Sequence, residues 1–355
     1  GYGSAMRGQL LLVLATLMPS AHAVDGPTIA RPPPAGLPAA YSSPADAKPA
    51  PPAPPRILVD PAMSVYARAA ALAGTVRSVG SSTLSNLLFR WATDFKLAYS
   101  NVEISIVGGG SDAAPLALLA GSAELAPMSR PMNATETKAF ETKFGYPPTR
   151  LTVALDAIAV YVNKKNPLTQ ASLEQIDAIF SSTQKRGHAP IKTWGQLGLA
   201  GEWQSLTIEL KGPNRAQGIY GLFRELALEG GDFRIDMKSE PVASSIVQGV
   251  GADEQAIGFA SYFYASARAR PLAVSKTAQG PFVLPTQEGV LSGSYPLSRM
   301  LYIYVNKPPR GALPAATLEL LRFICTEPGQ TVAARDGNYP LDARLARDEC
   351  LGQLQ

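Results

Sequence analysis

Histidine and cysteine are both scarce in this chain of 355 residues, which has only two of each. A histidine-rich metal site, a four-cysteine zinc module and a disulfide-dense miniprotein all need more of these residues, so those classes are excluded. The formal net charge of +4 comes from 32 basic and 28 acidic residues without a long basic run, which gives little support for a nucleic-acid partner. The hydrophobic fraction of 46% is enough for one large or two ordinary domains.

The N-terminal residues have the pattern of a targeting segment. Arg7 precedes an apolar run over residues 10–18, and Ala21-His22-Ala23 supplies the small-x-small pattern of a cleavage site. The sequence therefore predicts a secretory signal peptide over residues 1–23, with residues 1–5 as an extra leader. The apolar run is about half the roughly 20 residues that a membrane span needs, so we expect an exported, soluble mature protein.

Proline and alanine dominate residues 24–56, which include Pro32-Pro33-Pro34 and a second proline cluster over residues 51–55. This composition favours extended polyproline II and cannot bury a core. It predicts a semi-rigid linker. A tolerated disordered leader remains an equal alternative.

Export would place the two cysteines, Cys325 and Cys350, in an oxidising environment. In an oxidising compartment two such thiols pair more often than they stay free, so we expect a disulfide. A loop of about 25 residues would stabilise the fold by roughly 3 kcal/mol on the chain-entropy model. A catalytic thiol is disfavoured because only His188 remains after cleavage to serve as its partner.

Short apolar runs alternate with longer amphipathic ones from about Thr75 onward. The pattern predicts strands over residues 75–79, 102–107, 206–210 and 257–260, and helices over 84–96, 115–119, 173–180, 219–228 and 244–249. This alternation predicts an α/β fold with mostly parallel sheets, in which ligands gather at the C-terminal ends of strands.

Three of the predicted strand-to-helix turns are rich in small and hydroxyl residues, over 80–83, 108–111 and 212–218. Free backbone N–H groups and the positive end of the helix dipole make such turns anion sites, and glycine allows close approach. A single turn of this kind is more often only an N-cap, but three in one chain can converge on one ligand. None matches a Walker or dinucleotide-binding motif.

Two further side chains are candidates. Arg130, after a short strand, is suited to bidentate contact with an oxyanion, or it is a surface or capping arginine. Asp156 lies inside the apolar run 151–162, where it accepts a hydrogen bond from a ligand or fixes a crossing strand.

Over residues 76–345 the chain resembles the phosphate-binding proteins of bacterial phosphate ABC importers. The resemblance rests on the order and spacing of Gly80-Ser-Ser-Thr83, Gly109-Gly-Ser111, Met128-Ser-Arg130, Asp156-Ala-Ile-Ala-Val-Tyr-Val-Asn163, Trp194-Gly-Gln-Leu197, Gly212-Pro-Asn214 to Tyr220, Ala256-Ile-Gly-Phe-Ala-Ser-Tyr262 and Tyr295-Pro-Leu-Ser-Arg299. It implies a two-lobed periplasmic-binding-protein fold of type II with a central ligand cleft. Lobe 1 would comprise residues 75–156 and 263–351 and lobe 2 residues 157–262, with crossover strands at 155–162 and 257–262 that allow hinge closure.

The resemblance also implies a ligand-binding set drawn from these turns. Its members are Ser82, Thr83, the Leu84 amide, Gly110, Ser111, Ser129, Arg130, Gln217, Gly218 and Ile219. The family usually has Ser-Gly-Thr at the last three positions, so two hydroxyl donors are replaced here. Either Gln217 and the nearby Arg215 compensate for them or the ligand has changed.

The family function implied is that of a periplasmic receptor, without a cofactor, metal or enzymatic activity. It would bind inorganic phosphate or a related oxyanion as a monomer and deliver it to an inner-membrane ABC permease. The alternative is an exported scaffold, adhesion or sensing protein that keeps the fold. A hydrolase with Ser82 or Ser111 as nucleophile lacks a plausible base.

Overall fold

The computed structural model describes residues 57–355. The signal peptide and the proline-rich linker predicted for residues 1–56 lie outside this range. Among the described residues, no helix has both the length and the apolar character needed to cross a bilayer.

Eleven strands are present in the described part of the chain. They are β1 (Gly74–Gly80), β2 (Val102–Gly108), β3 (Ala126–Met128), β4 (Thr149–Asn163), β5 (Gln170–Ser172), β6 (Glu209–Pro213), β7 (Lys238–Glu240), β8 (Ala256–Ser261), β9 (Ala269–Pro271), β10 (Ala273–Ser275) and β11 (Ser298–Val305).

The same residues form ten α-helices. They are α1 (Ser82–Ala98), α2 (Ala113–Ala120), α3 (Ala134–Phe144), α4 (Leu173–Phe180), α5 (Gly218–Leu226), α6 (Ala243–Ala252), α7 (Gln287–Leu291), α8 (Ala315–Ile324), α9 (Glu327–Arg335) and α10 (Ala343–Leu345). A single π-helical turn, Ala346–Cys350, follows α10.

The larger sheet is mixed, with strand order β3-β11-β4-β8-β6-β7 and β9 also paired with β4. Strand β4 is 15 residues long and buried over most of its length, as its continuous apolar sequence predicts. It pairs with β11 over residues 149–157 and with β8 over residues 158–162, both antiparallel. One strand therefore joins the two parts of the sheet.

Beside this sheet, β1 and β2 form a parallel pair connected through α1. Strand β3 approaches β1 through a parallel bridge between Ser78 and Leu125. The C-terminal ends of β1, β2 and β3 therefore lie at one edge, where their following turns gather.

The α/β fold class is confirmed, but the prediction of mostly parallel sheets is wrong, because β11 and β8 both run antiparallel to β4. Strand β11 was not predicted at all. Strand β6 begins at Glu209 rather than at Leu206, because residues 206–208 form an isolated antiparallel bridge with residues 192–194. In this bridge the Trp194 amide donates to the Leu206 carbonyl at 3.0 Å.

The predicted disulfide between Cys325 and Cys350 is confirmed. It joins the C-terminus of α8 to the π-helical turn, with the two Cα atoms 5.6 Å apart and both residues fully buried.

A buried glutamine, Gln330, adds polar contacts in the same region. Its amide nitrogen donates to the carbonyls of Val153 and Ile324 at 3.0 and 2.8 Å, and its oxygen accepts from the Leu341 amide at 2.7 Å.

Candidate functional site

A cavity of about 450 Å³ lies between the N-terminus of α1 and the N-terminus of α5. Its lining comes from α1, β4, α5, α6, β8 and the turn after α9. The lining residues are Ser82, Thr83, Asn86, Asp156, Ala216, Gly218, Ile219, Leu222, Ala243, Ser261, Asp336, Gly337 and Asn338.

The N-terminus of α1 supplies the hydroxyl-rich wall of this cavity through Ser82 and Thr83. Ser81 is the N-cap, and its side chain accepts a hydrogen bond from the Leu84 amide at 3.4 Å. The Leu84 amide therefore serves the cap, and the residue is fully buried. The first turn contains no acidic residue, so the positive end of the helix dipole is not offset within the helix.

Two glycines allow close approach around this helix end. A Cβ atom on Gly108 would lie 3.2 Å from the Ser82 hydroxyl oxygen, and a Cβ on Gly218 would lie 3.2 Å from the Thr83 hydroxyl oxygen. The N-termini of α1 and α5 therefore meet with little room for a side chain between them. This arrangement leaves backbone N–H groups accessible to a small anion.

The second and third predicted turns lie directly beside the α1 N-terminus. The Ser81 and Ser129 hydroxyls are hydrogen-bonded, and the Ser129 amide donates to the Ser111 hydroxyl oxygen at 3.0 Å. Gly110 precedes Ser111 with a φ of +81°, which favours glycine. These residues are brought together with α1, although they do not line the cavity.

Arg130 is held by carboxylates. Its guanidinium donates to both oxygens of Glu136, at 2.9 and 2.8 Å, and also to Asp112. The hydrogen bonds to Glu136 raise the pKa of Arg130, and the bonds from Arg130 lower the pKa of Glu136. The positive charge of Arg130 is thus offset within the protein.

The N-terminus of α5 differs chemically from that of α1. Gln217 is the N-cap, and its amide nitrogen donates to the carbonyls of Glu240 and Pro241, each at 3.2 Å. Ile219 presents an aliphatic side chain to the cavity. Arg215 lies apart from the other predicted residues, since it lines a separate cavity of about 350 Å³.

Two carboxylates, Asp156 and Asp336, also line the cavity. Asp156 pairs with Arg299, whose Nη2 lies 3.3 Å from Oδ2 of Asp156, and Arg299 Nε is buried without a hydrogen-bond partner. Asp336 is the C-cap of α9, and burial raises the pKa of its carboxyl.

Sequence reasoning missed several lining residues, namely Asn86, Ser261 and the turn Asp336–Asn338. Asn86 follows Ser82 by one helical turn and so shares its face, which is a signal that the sequence carries. The turn 336–338 reaches the cavity only through the packing of α9 against α1, which no local pattern shows.

A family model described as a PBP superfamily domain matches residues 66–327. The chain is 43% identical over 289 residues to phosphate-binding protein PstS of Pseudomonas aeruginosa strain PAO1, covering 81% of this chain and 90% of that protein. It is 29% identical to PstS of Staphylococcus saprophyticus, covering 66% of this chain and 70% of the relative.

Solved structures have the same fold. A possible phosphate-binding protein from Planctomyces limnophilus matches with a TM-score of 0.67 and 22% identity, covering 80% of this chain and 98% of that one. An ABC-type phosphate transport receptor from Vibrio cholerae matches with a TM-score of 0.62 and 20% identity, covering 75% and 99% of the two chains. At these identities the likeness establishes the fold.

Proposed function

Because this chain belongs to the PBP superfamily and to the family of PstS phosphate-binding proteins, we propose that it binds inorganic phosphate or a related oxyanion. The observation that carries this proposal is the N-terminus of α1, which directs Ser82 and Thr83 into a cavity closed on its other side by Gly218. A helix N-terminus with hydroxyl side chains and close glycines is a physically suitable site for a small anion.

Ligand binding would involve two lobes that close on the cleft. Lobe 1 comprises residues 75–156 and 263–351, and lobe 2 comprises residues 157–262. The antiparallel pairing of β4 with β8 supports a hinge at the boundary, since β4 continues from one part of the sheet into the other.

The ligand-binding residues come mainly from the first turn of α1, and the turns beside it supply the others. Ser82 and Thr83 would donate directly, while Ser111 and Ser129 would contact the anion after closure or orient the α1 turn. Gly218 and the first amides of α5 would approach from the opposite lobe.

The biological role we propose is delivery of the ligand to an inner-membrane ABC importer, with the chain acting as a monomeric receptor in the periplasm. It is a binding protein rather than an enzyme. The 43% identity to PstS over most of both chains supports this role.

The α5 N-terminus favours a second candidate, an exported sensing or scaffold protein with altered anion specificity. The side-chain amide of Gln217 donates to backbone carbonyls, and the side chain of Ile219 has no hydrogen-bond donor. Arg215 lines another cavity and does not replace them. The cleft therefore has fewer polar donors on this side than Ser-Gly-Thr would give.

Calorimetric titration of the full chain, freed of ligand by partial unfolding and refolding, separates the two candidates. The ligands are phosphate, arsenate and sulfate at pH 7. Micromolar or tighter binding of phosphate is the result expected of an importer receptor. No binding of phosphate at millimolar concentration would overturn that role and favour the second candidate.

A further inference from the structure

The two helices that face each other across the cleft line it with side chains of opposite polarity. On the α1 side the cavity is lined by Ser82, Thr83 and Asn86, all of which have hydrogen-bonding side chains. On the α5 side it is lined by Ile219 and Leu222, whose side chains are aliphatic. A ligand that matches both walls therefore has one polar end and one apolar end.

The apolar wall is formed by more than one residue. Ile219 and Leu222 are three positions apart on α5 and so share a face of the helix. Ala216 in the turn before α5 and Ala243 at the start of α6 line the same cavity. We call these four residues the aliphatic strip. Leu222 is only 3% exposed and packs into the hydrophobic core, so its position is fixed by the fold.

The residue that precedes α5 does not add side-chain donors to this wall. The side-chain amide of Gln217 donates to the carbonyls of Glu240 and Pro241, each at 3.2 Å, and its side chain does not cap the helix. The first backbone amides of α5 therefore remain as donors at the end of the helix. Hydrogen-bonding capacity on this side is confined to that end and does not extend along the aliphatic strip.

The cavity is also larger than a bare oxyanion needs. Its volume of about 450 Å³ lies within the range of roughly 300–1,000 Å³ typical of sites for small organic molecules. The ends of α1 and α5 are already close, since a Cβ on Gly218 would lie 3.2 Å from Oγ1 of Thr83. Much of the remaining space lies beside the aliphatic strip. A phosphate oxygen turned toward the strip would lose its hydration without gaining a hydrogen bond, which is unfavourable.

We propose that the preferred ligand is a phosphorus oxyanion that carries one short aliphatic chain, and that the aliphatic strip recognises this chain. This inference rests on the proposed function of the cleft as an oxyanion site. The phosphoryl oxygens bind at the N-terminus of α1 through Ser82 and Thr83, and the chain packs against Ile219 and Leu222. Alkylphosphonates and alkyl phosphate monoesters share this chemistry.

The test is calorimetric titration of the full chain at pH 7 with four probes: inorganic phosphate, methylphosphonate, propylphosphonate and ethyl phosphate. Methylphosphonate and propylphosphonate carry the same charged group and differ by two methylene groups. Each methylene buried against carbon should tighten binding about fourfold, so we expect propylphosphonate to bind at least tenfold more tightly than methylphosphonate. Ethyl phosphate has a chain of the same length as propylphosphonate, so the better of these two identifies the source as a phosphate monoester or a phosphonate.

The variant Ile219→Thr should make the advantage of the propyl chain at least threefold smaller, because it replaces part of the carbon surface of the strip with a hydroxyl. The matched control is Ile235→Thr, which makes the same change at a fully exposed residue that lines the separate cavity of Arg215. This control should retain the full advantage. Thermal melting checks that both variants fold.

The outcomes distinguish this inference from the function on which it rests. Binding of phosphate and methylphosphonate without an advantage for the propyl chain would overturn the inference and leave the proposed function intact. Binding of the propyl and ethyl ligands without phosphate would support the inference and overturn inorganic phosphate as the ligand. Failure of all four probes to bind would overturn both. An advantage that Ile219→Thr leaves unchanged would overturn the recognition of the chain by the aliphatic strip.

Discussion

Replacing Gly218 with alanine should weaken oxyanion binding without weakening the fold. The new Cβ would lie 3.2 Å from the Thr83 hydroxyl oxygen, at the point where the N-termini of α1 and α5 meet. A ligand excluded from one charge-assisted hydrogen bond there loses about 1.5–3 kcal/mol, which corresponds to a rise in Kd of roughly 10- to 150-fold.

The stability of the Gly218→Ala variant should change little. Gly218 is exposed at the first position of α5 and its φ is not in the left-handed region, so alanine fits the backbone. The lower entropy of the unfolded chain would contribute up to about 1 kcal/mol in favour of folding, against mild crowding of Thr83. Urea unfolding measures this, and calorimetry with the tightest-binding oxyanion measures the affinity.

Gly221 supplies the matched control, because it lies on the same helix and a Cβ there would meet no atom within 4 Å. Gly221→Ala should bind the oxyanion as the unmodified chain does. If Gly218→Ala, correctly folded, binds within twofold of this control, then the ligand does not lie between α1 and α5. That result would refute the placement of the site.

Three further predictions concern stability. The double variant with alanine at Cys325 and Cys350 should lose roughly 3 kcal/mol of unfolding free energy in urea, since the disulfide closes a loop of 25 residues, and a loss below 1 kcal/mol would contradict this. Gln330→Leu should lose about 3–6 kcal/mol in the same assay, because it leaves three buried backbone groups without partners; a loss under 1 kcal/mol would show that they find others. Hydrogen bonds from Arg130 lower the pKa of Glu136 below its ordinary value of 4.5, so this pair stabilises the fold above that pH and its contribution is lost as pH falls through the folded pKa. Glu136→Gln should therefore unfold at lower urea than the unmodified chain at pH 7 and at the same urea near pH 2, and an equal gap at both pH values would contradict the argument.

The elements that the sequence predicted best are those whose signals are local. The strand predicted over residues 75–79 and the helix over 84–96 correspond to β1 and α1, and the turn between them is the helix end that faces the cavity. Apolar periodicity sets the helix face, and the serine before the first turn sets its start. These causes act within a few residues, so one sequence is enough to read them.

Strand pairing depends on contacts between distant residues, and there the prediction was less accurate. Arg299 on β11 lies opposite Asp156 on β4, across 143 residues of sequence. The continuous apolar sequence of β4 indicates that the strand is buried, but it does not say whether the neighbouring strand runs parallel or antiparallel. The prediction of mostly parallel sheets took the direction from the order of elements alone, and β11 falls outside that order.

The chemistry of the cleft depends on tertiary placement even more strongly. From the sequence, Gln217 and Arg215 were both able to replace the two missing hydroxyls. In the folded chain, the side-chain amide of Gln217 donates to backbone carbonyls at the end of β7 and just after it. Arg215, in the turn before α5, lines another cavity. What this side of the cleft gains instead is the carbon surface of Ile219, with the carboxylate of Asp336 elsewhere on the wall. The number of donors on this side of the cleft is therefore decided by contacts with distant segments, which the residue types of the turn do not show on their own.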